Sequence, residues 1–178
     1  MTDLPQIIAP IDAASIGSVP QTFRVAASEA ECERIAAALG VPQVRRLTAE
    51  LSVVRDEEEA IVVTGAVDAE IVQECVVSFV PVAQTIAEAI DLRFTESPDG
   101  ADVETRPGAE VNLEEVEGWP EPLEDGVLDL NALILEHVAL AIDPYPRAEG
   151  AEMPEDYARK DRSSGESPFA VLSKLVDR

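Results

Sequence analysis

Few residues in this 178-residue sequence could do covalent chemistry: one histidine, His137, and two cysteines, Cys32 and Cys75. A Cys75–His137 dyad, with the imidazole drawing the proton from the thiol, is the sharpest hydrolase or RNA-processing hypothesis they permit. No Gly-x-Ser-x-Gly elbow accompanies it, and both residues fall in phases that predict burial, where a thiol's pKa rises and its nucleophilicity is lost. A structural or partly exposed His137 is therefore favoured. Cys32 lies on the apolar stripe of a predicted helix and reads as a small core residue. Two cysteines with one histidine are too few ligands for a structural zinc site. The chain is thus expected to have no catalytic residues, no metal and no small-molecule cofactor.

Charge is what the sequence has in excess. With 36 acidic and 13 basic residues the formal net charge is −23, which argues against broad, unassisted binding to phosphate backbones. The chain is nevertheless 46% apolar, enough for a core, and its length suits a single domain. Aromatic residues are only 4%, so aliphatic side chains must fill the interior. Between Glu96 and Asp125 stand eleven acidic residues and a single basic one, Arg106. This stretch reads as a solvated acidic excursion, with Glu114, Glu115, Glu117, Glu121, Glu124 and Asp125 as candidate contacts for a cationic partner. Trp119 within it reads as an anchor onto the body. Arg159, Lys160 and Arg162, set within a polar linker over 147–166, are with Arg45 and Arg46 the alternative: a local positive footprint for RNA phosphate.

The elements that must position these residues follow from periodicity. Thr22–Val25 alternates as a short strand. Ser28 followed by Glu31 forms a capping box, and Cys32, Ile35, Ala36 and Leu39 recur at helical spacing before Gly40 and Pro42. From Val44 to Arg55 the period is two. After the acidic turn Asp56–Glu59, a second alternating run from Ile61 shares one phase through Cys75, Val77 and Phe79. That exceeds an ordinary strand, which predicts a bulge or bend near Gly65 or Gln73. A third strand is predicted over Ile86–Thr95. Short turns imply an antiparallel meander, strongly bent and able to curl toward a barrel, in an α+β class. Leu128–Asp143 reads as a helix buried except along a carboxylate edge of Asp129, Glu136 and Asp143. Ser167, Pro168 and Phe169 open a short C-terminal helix whose apolar edge is Phe169, Leu172, Leu175 and Val176, predicted to dock on the body or on a partner. No apolar run approaches the ~20 residues of a membrane span, and the start lacks a signal-peptide pattern, so a cytosolic protein is expected.

Three segments together resemble the YceD family, the large ribosomal RNA subunit accumulation proteins. They are Gly65 through Cys75, Asp129-Leu130 through Glu136 to Leu140 with Pro144-x-Pro146, and Ser167 through Leu175 with Pro168, Phe169 and Leu172. The resemblance implies a bacterial or organellar factor needed for 23S ribosomal RNA to accumulate, with no known catalytic activity. Many relatives have Cys-x-x-Cys where this chain has Cys75-Val76-Val77-Ser78, and a further Cys where it has Arg147–Gly150, so any zinc binding among them does not carry over. With this charge, a basic large-subunit ribosomal protein is the expected partner and a 23S rRNA precursor the alternative. The acidic excursion would be the contact surface, with the Asp129/Glu136/Asp143 edge as a secondary candidate.

Overall fold

The computed structural model describes residues 5–96 and 120–152. Its elements in chain order are β1 (Ile11–Asp12), β2 (Gln21–Ala26), α1 (Glu29–Leu39), β3 (Gln43–Arg55), β4 (Ile61–Glu74), β5 (Pro81–Thr95), β6 (Glu121–Pro122), β7 (Val127–Leu128) and α2 (Leu130–Ala141). Five strands form one sheet in the order β2-β3-β4-β5-β6, antiparallel except for the short β5–β6 pairing, while β1 and β7 pair apart from it. The α+β class is as expected. The sheet is open rather than barrel-like: β2 and β6 each pair on one side only.

Alternation decides which face of the sheet is covered. Leu47, Leu51 and Val53 on β3, Ile61, Val63, Val67 and Ile71 on β4, and Ile86 and Ile90 on β5 are all buried on one face. Ile35 of α1 and Ile134 and Val138 of α2 complete the same core. The other face carries Arg46, Thr48 and Glu50 opposite Glu70, Asp68 and Ala66, and stays largely open to solvent.

Helix α1 starts where its capping box predicts: Ser28 accepts from the Glu31 N–H, and the Glu31 carboxylate accepts in turn from the Ser28 N–H at 2.7 Å. The Ser28 hydroxyl, which donates to the same carboxylate at 2.6 Å, and then the Ser28 N–H hold the Glu31 carboxyl below its ordinary pKa. Gly40 closes the helix in the left-handed conformation.

Three expectations need correcting. The bulge lies in β3 at Arg45, where the register slips between Val44 and Arg46; β4 runs unbroken against β5 from Ile61 to Glu74. The long alternating run ends at Glu74, because Cys75–Val80 is a tight turn closed by Cys75 N–H to the Val80 carbonyl and Phe79 N–H to the Cys75 carbonyl, both 2.9 Å. Phe79 takes a φ of +59° there and is 74% exposed, so it shares no buried phase with Cys75. The third strand therefore begins at Pro81, where a missing N–H costs least at the end of a strand. Finally, the last part of the acidic excursion is structured: Glu121 and Pro122 pair in parallel with Phe94 and Thr95, and the Leu123 N–H reaches the Thr95 carbonyl at 2.8 Å.

Gly65 has a role that alternation alone does not show. A Cβ built there would lie 2.1 Å from the Glu50 carbonyl oxygen and 2.9 Å from the Leu51 Cα, and its φ is +154°. Only glycine lets β3 pass that closely.

Candidate functional site: an acid-rimmed groove beside helix α2

Helix α2 is positioned at both ends by side chains. Asp129 caps its start, accepting from the Ala132 N–H at 3.0 Å. At the other end Gln84 of β5 donates to the Ala141 carbonyl at 2.8 Å and accepts from the Asp143 N–H at 3.1 Å. Gln73 of β4 donates to the Asp143 carbonyl at 2.8 Å. Groups that a helix terminus leaves unpaired are thus met from two neighbouring strands. The helix is shorter than Leu128–Asp143: Leu128 belongs to β7, Asp129 is the cap, and Asp143 lies beyond the last turn.

Between α2 and the β5–β6 edge runs a groove of about 400 Å³. Leu92, Phe94, Leu123, Val127, Leu133 and Leu140 give it apolar walls, and Glu121, Glu124, Asp129 and Glu136 line it with carboxylates. Among the predicted acidic contacts, these four come together here, and Asp125 sits beside them in the turn between β6 and β7 with a φ of +53°. Glu114, Glu115, Glu117 and Trp119 lie outside the described residues. The expectation that α2 exposes only carboxylates is corrected: Leu140 is 78% exposed beside Glu136, and Val127 is 40% exposed. Helical spacing marks Leu140 as apolar but not that its side lacks a covering element among the described residues.

His137 also lines the groove. Its Nδ1 lies 2.9 Å from the Leu133 carbonyl. A carbonyl only accepts, so the ring donates through Nδ1 in this contact. Cys75 is elsewhere and has other partners. It is fully buried, as its phase predicts, yet its Sγ accepts N–H groups from Val77 at 3.4 Å, Ser78 at 3.3 Å and Ala148 at 3.3 Å. These donors, Ala148 first and the Ser78 side chain next, outweigh burial and hold the thiol down to about 6. The expectation of a raised pKa is wrong for Cys75, because backbone donors from a segment 73 residues away cannot be read from local sequence. Cys32 is buried, as expected of a small core residue, and that burial pushes its thiol up. The Cys75–Ser78 turn and the Arg147–Gly150 segment meet here, joined also by the Val76 N–H to the Pro146 carbonyl at 2.9 Å. Among the described residues, no three His, Cys, Asp or Glu side chains converge as metal ligands.

Of the alternative RNA footprint, Arg45 is bonded to Glu70 at 2.8 Å and Arg46 to the Thr48 hydroxyl at 3.2 Å. Arg159, Lys160 and Arg162 lie outside the described residues, as do Pro168, Phe169 and Leu172. Pro144 follows α2 in an exposed bend, and Leu130 is fully buried.

The family model of the large ribosomal RNA subunit accumulation protein YceD matches residues 63–176. The chain belongs to the YceD family. The match takes in β4 from Val63 on, β5, α2 and every groove residue, and the family's name implies a role in the accumulation of large-subunit ribosomal RNA. No curated protein and no solved structure matches the chain. No helix among the described residues is long and apolar enough to cross a membrane.

Proposed function

We propose that this YceD protein supports 23S ribosomal RNA accumulation without catalysis, in the cytoplasm, by holding a basic large-subunit ribosomal protein in the groove beside α2. The observation that carries this reading is the convergence of Glu121, Glu124, Asp129 and Glu136 on a groove whose walls include the exposed Leu140 and Val127. An apolar floor supplies affinity through burial, and a like-signed rim selects and steers an oppositely charged partner. Ribosomal RNA meets the opposite condition, since a chain of net charge −23 repels phosphate. Four of the seven described arginines, Arg24, Arg45, Arg55 and Arg93, are each paired with a carboxylate of the same domain.

The test is affinity capture from lysate with the full chain and with a Glu121→Lys, Glu124→Lys, Glu136→Lys variant, read by mass spectrometry and RNA sequencing. Basic large-subunit proteins enriched by the parent and lost by the variant support the reading. Ribosomal RNA captured equally by both, with no basic protein, overturns it in favour of an RNA-contacting adaptor.

A further inference from the structure

Gln73 of β4 is only 8% exposed, and its Nε2 donates to the Asp143 carbonyl at 2.8 Å. A carbonyl only accepts, so the amide cannot be turned round, and Oε1 is left buried with no hydrogen-bond partner among the described residues. A buried acceptor without a donor is costly and calls for one. Gln73 lines a cleft of about 500 Å³ between the α1–β3 connection and the end of β4, with apolar walls from Val41, Pro42, Val76 and Pro146 and the exposed Glu74 beside them. No residue of this cleft belongs to the groove beside α2. What the cleft presents is acceptors. Pro42 and Pro146 have no N–H, while the Gly40 and Val41 N–H groups are spent on the Ala36 carbonyl and that of Val76 on the Pro146 carbonyl. Glu74 is in no ion pair among the described residues. Gly40 marks the C-terminal, negative end of α1, whose last turn has no basic residue of its own. Phosphate is refused by such a lining, and a cationic donor is favoured.

We propose that this cleft is a second binding site, which takes a lysine side chain of a protein partner and sets its ammonium group between Gln73 Oε1 and the Glu74 carboxylate. Lysine suits both parts of the cleft. Its charge is compact and rides on a slender stem, which an enclosed acceptor admits more readily than a broad planar guanidinium, and the stem's methylenes cover the apolar walls. The exposed surroundings decide between a protein and a free amine. Phe79 and Tyr145, 74% and 73% exposed, stand in the two segments that supply Val76 and Pro146 to the wall. A small amine leaves both rings in water, whereas a polypeptide carrying apolar residues on either side of its lysine covers them.

The experiment titrates the isotope-labelled full chain with the peptide acetyl-Leu-Lys-Leu-amide and follows the Gln73 side-chain amide and the Val41 and Val76 backbone amides by NMR. The expected result is a saturable shift of all three in the millimolar range. The same peptide with its lysine acetylated at Nζ should bind at least about tenfold more weakly, since it keeps the stem and loses the charge. Glu74→Gln should weaken the unmodified peptide about threefold without changing the melting temperature, the side chain being exposed. Gln73→Met, which keeps the length of the side chain and removes the acceptor, should abolish the shifts at Val41 and Val76; if that variant does not fold, the acetylated peptide and Glu74→Gln carry the test. Equal binding of the two peptides overturns the proposal, as does saturable binding of inorganic phosphate at these residues. Absence of any shift also overturns it, because water alone then meets Gln73 Oε1. Tighter binding of spermidine than of the peptide, with no change at Phe79 or Tyr145, overturns the assignment to a protein. None of these outcomes bears on the groove beside α2, whose own test changes Glu121, Glu124 and Glu136.

Discussion

Phe94 of β5 and Glu121 of β6 are register partners in a short parallel pairing, and that pairing brings the end of a long acidic segment against the sheet. Phe94 is nearly buried while Glu121 is exposed, so the pair marks the line where the apolar interior gives way to the carboxylate rim. The groove beside α2 exists because this strand closes one side and the helix the other.

The close passage of β3 over Gly65 makes that position intolerant of any side chain. Gly65→Ala must push a methyl group into the Glu50 carbonyl or part the two central strands. Denaturant unfolding should show a loss of roughly 2 kcal/mol or more.

Cys75 should give the stability curve a thiol-dependent slope. Its folded pKa of about 6 lies below the ordinary value of 9.0. A depressed folded pKa contributes stability that is fully present above the ordinary value and is lost as pH falls through the folded value. Stability of the parent chain should therefore decline between pH 9 and 6 relative to Cys75→Ser. Urea midpoints across that range check it, and parallel curves for the two proteins would remove the N–H cradle as a cause.

Gln84 holds the end of α2, so Gln84→Leu leaves the Ala141 carbonyl and the Asp143 N–H without their side-chain partner. The expected cost is about 1–2 kcal/mol. Exchange of the Asp143 amide should speed by a similar factor, as seen by hydrogen exchange.

How much of this was legible depends on how far apart the cooperating residues are. The capping box of Ser28 and Glu31 and the period-two runs of β3 and β4 are local patterns, and the structure follows them. The stop at Glu74 was hidden because Cys75, Val77 and Phe79 continue the alternation through a turn whose closing bonds come from the backbone. The acidic residues could be named as contacts, yet their meeting place could not, since it needs β5, β6 and α2 assembled. Leu140 was visible as apolar; its exposure follows from the absence of a facing element among the described residues, which periodicity does not encode.

Leu140 should matter to the partner more than to the fold. Leu140→Glu is expected to change unfolding free energy by about 1 kcal/mol or less, because the side chain is 78% exposed. Affinity for a captured basic protein should fall roughly tenfold, the effect of losing part of one buried leucine.

A photo-crosslinking aromatic residue placed at position 140 in cells reports directly on what occupies the groove. Adducts to a basic large-subunit ribosomal protein, lost when Glu121, Glu124 and Glu136 are changed to lysine, are the predicted result. Adducts to ribosomal RNA that persist through those changes would contradict the account.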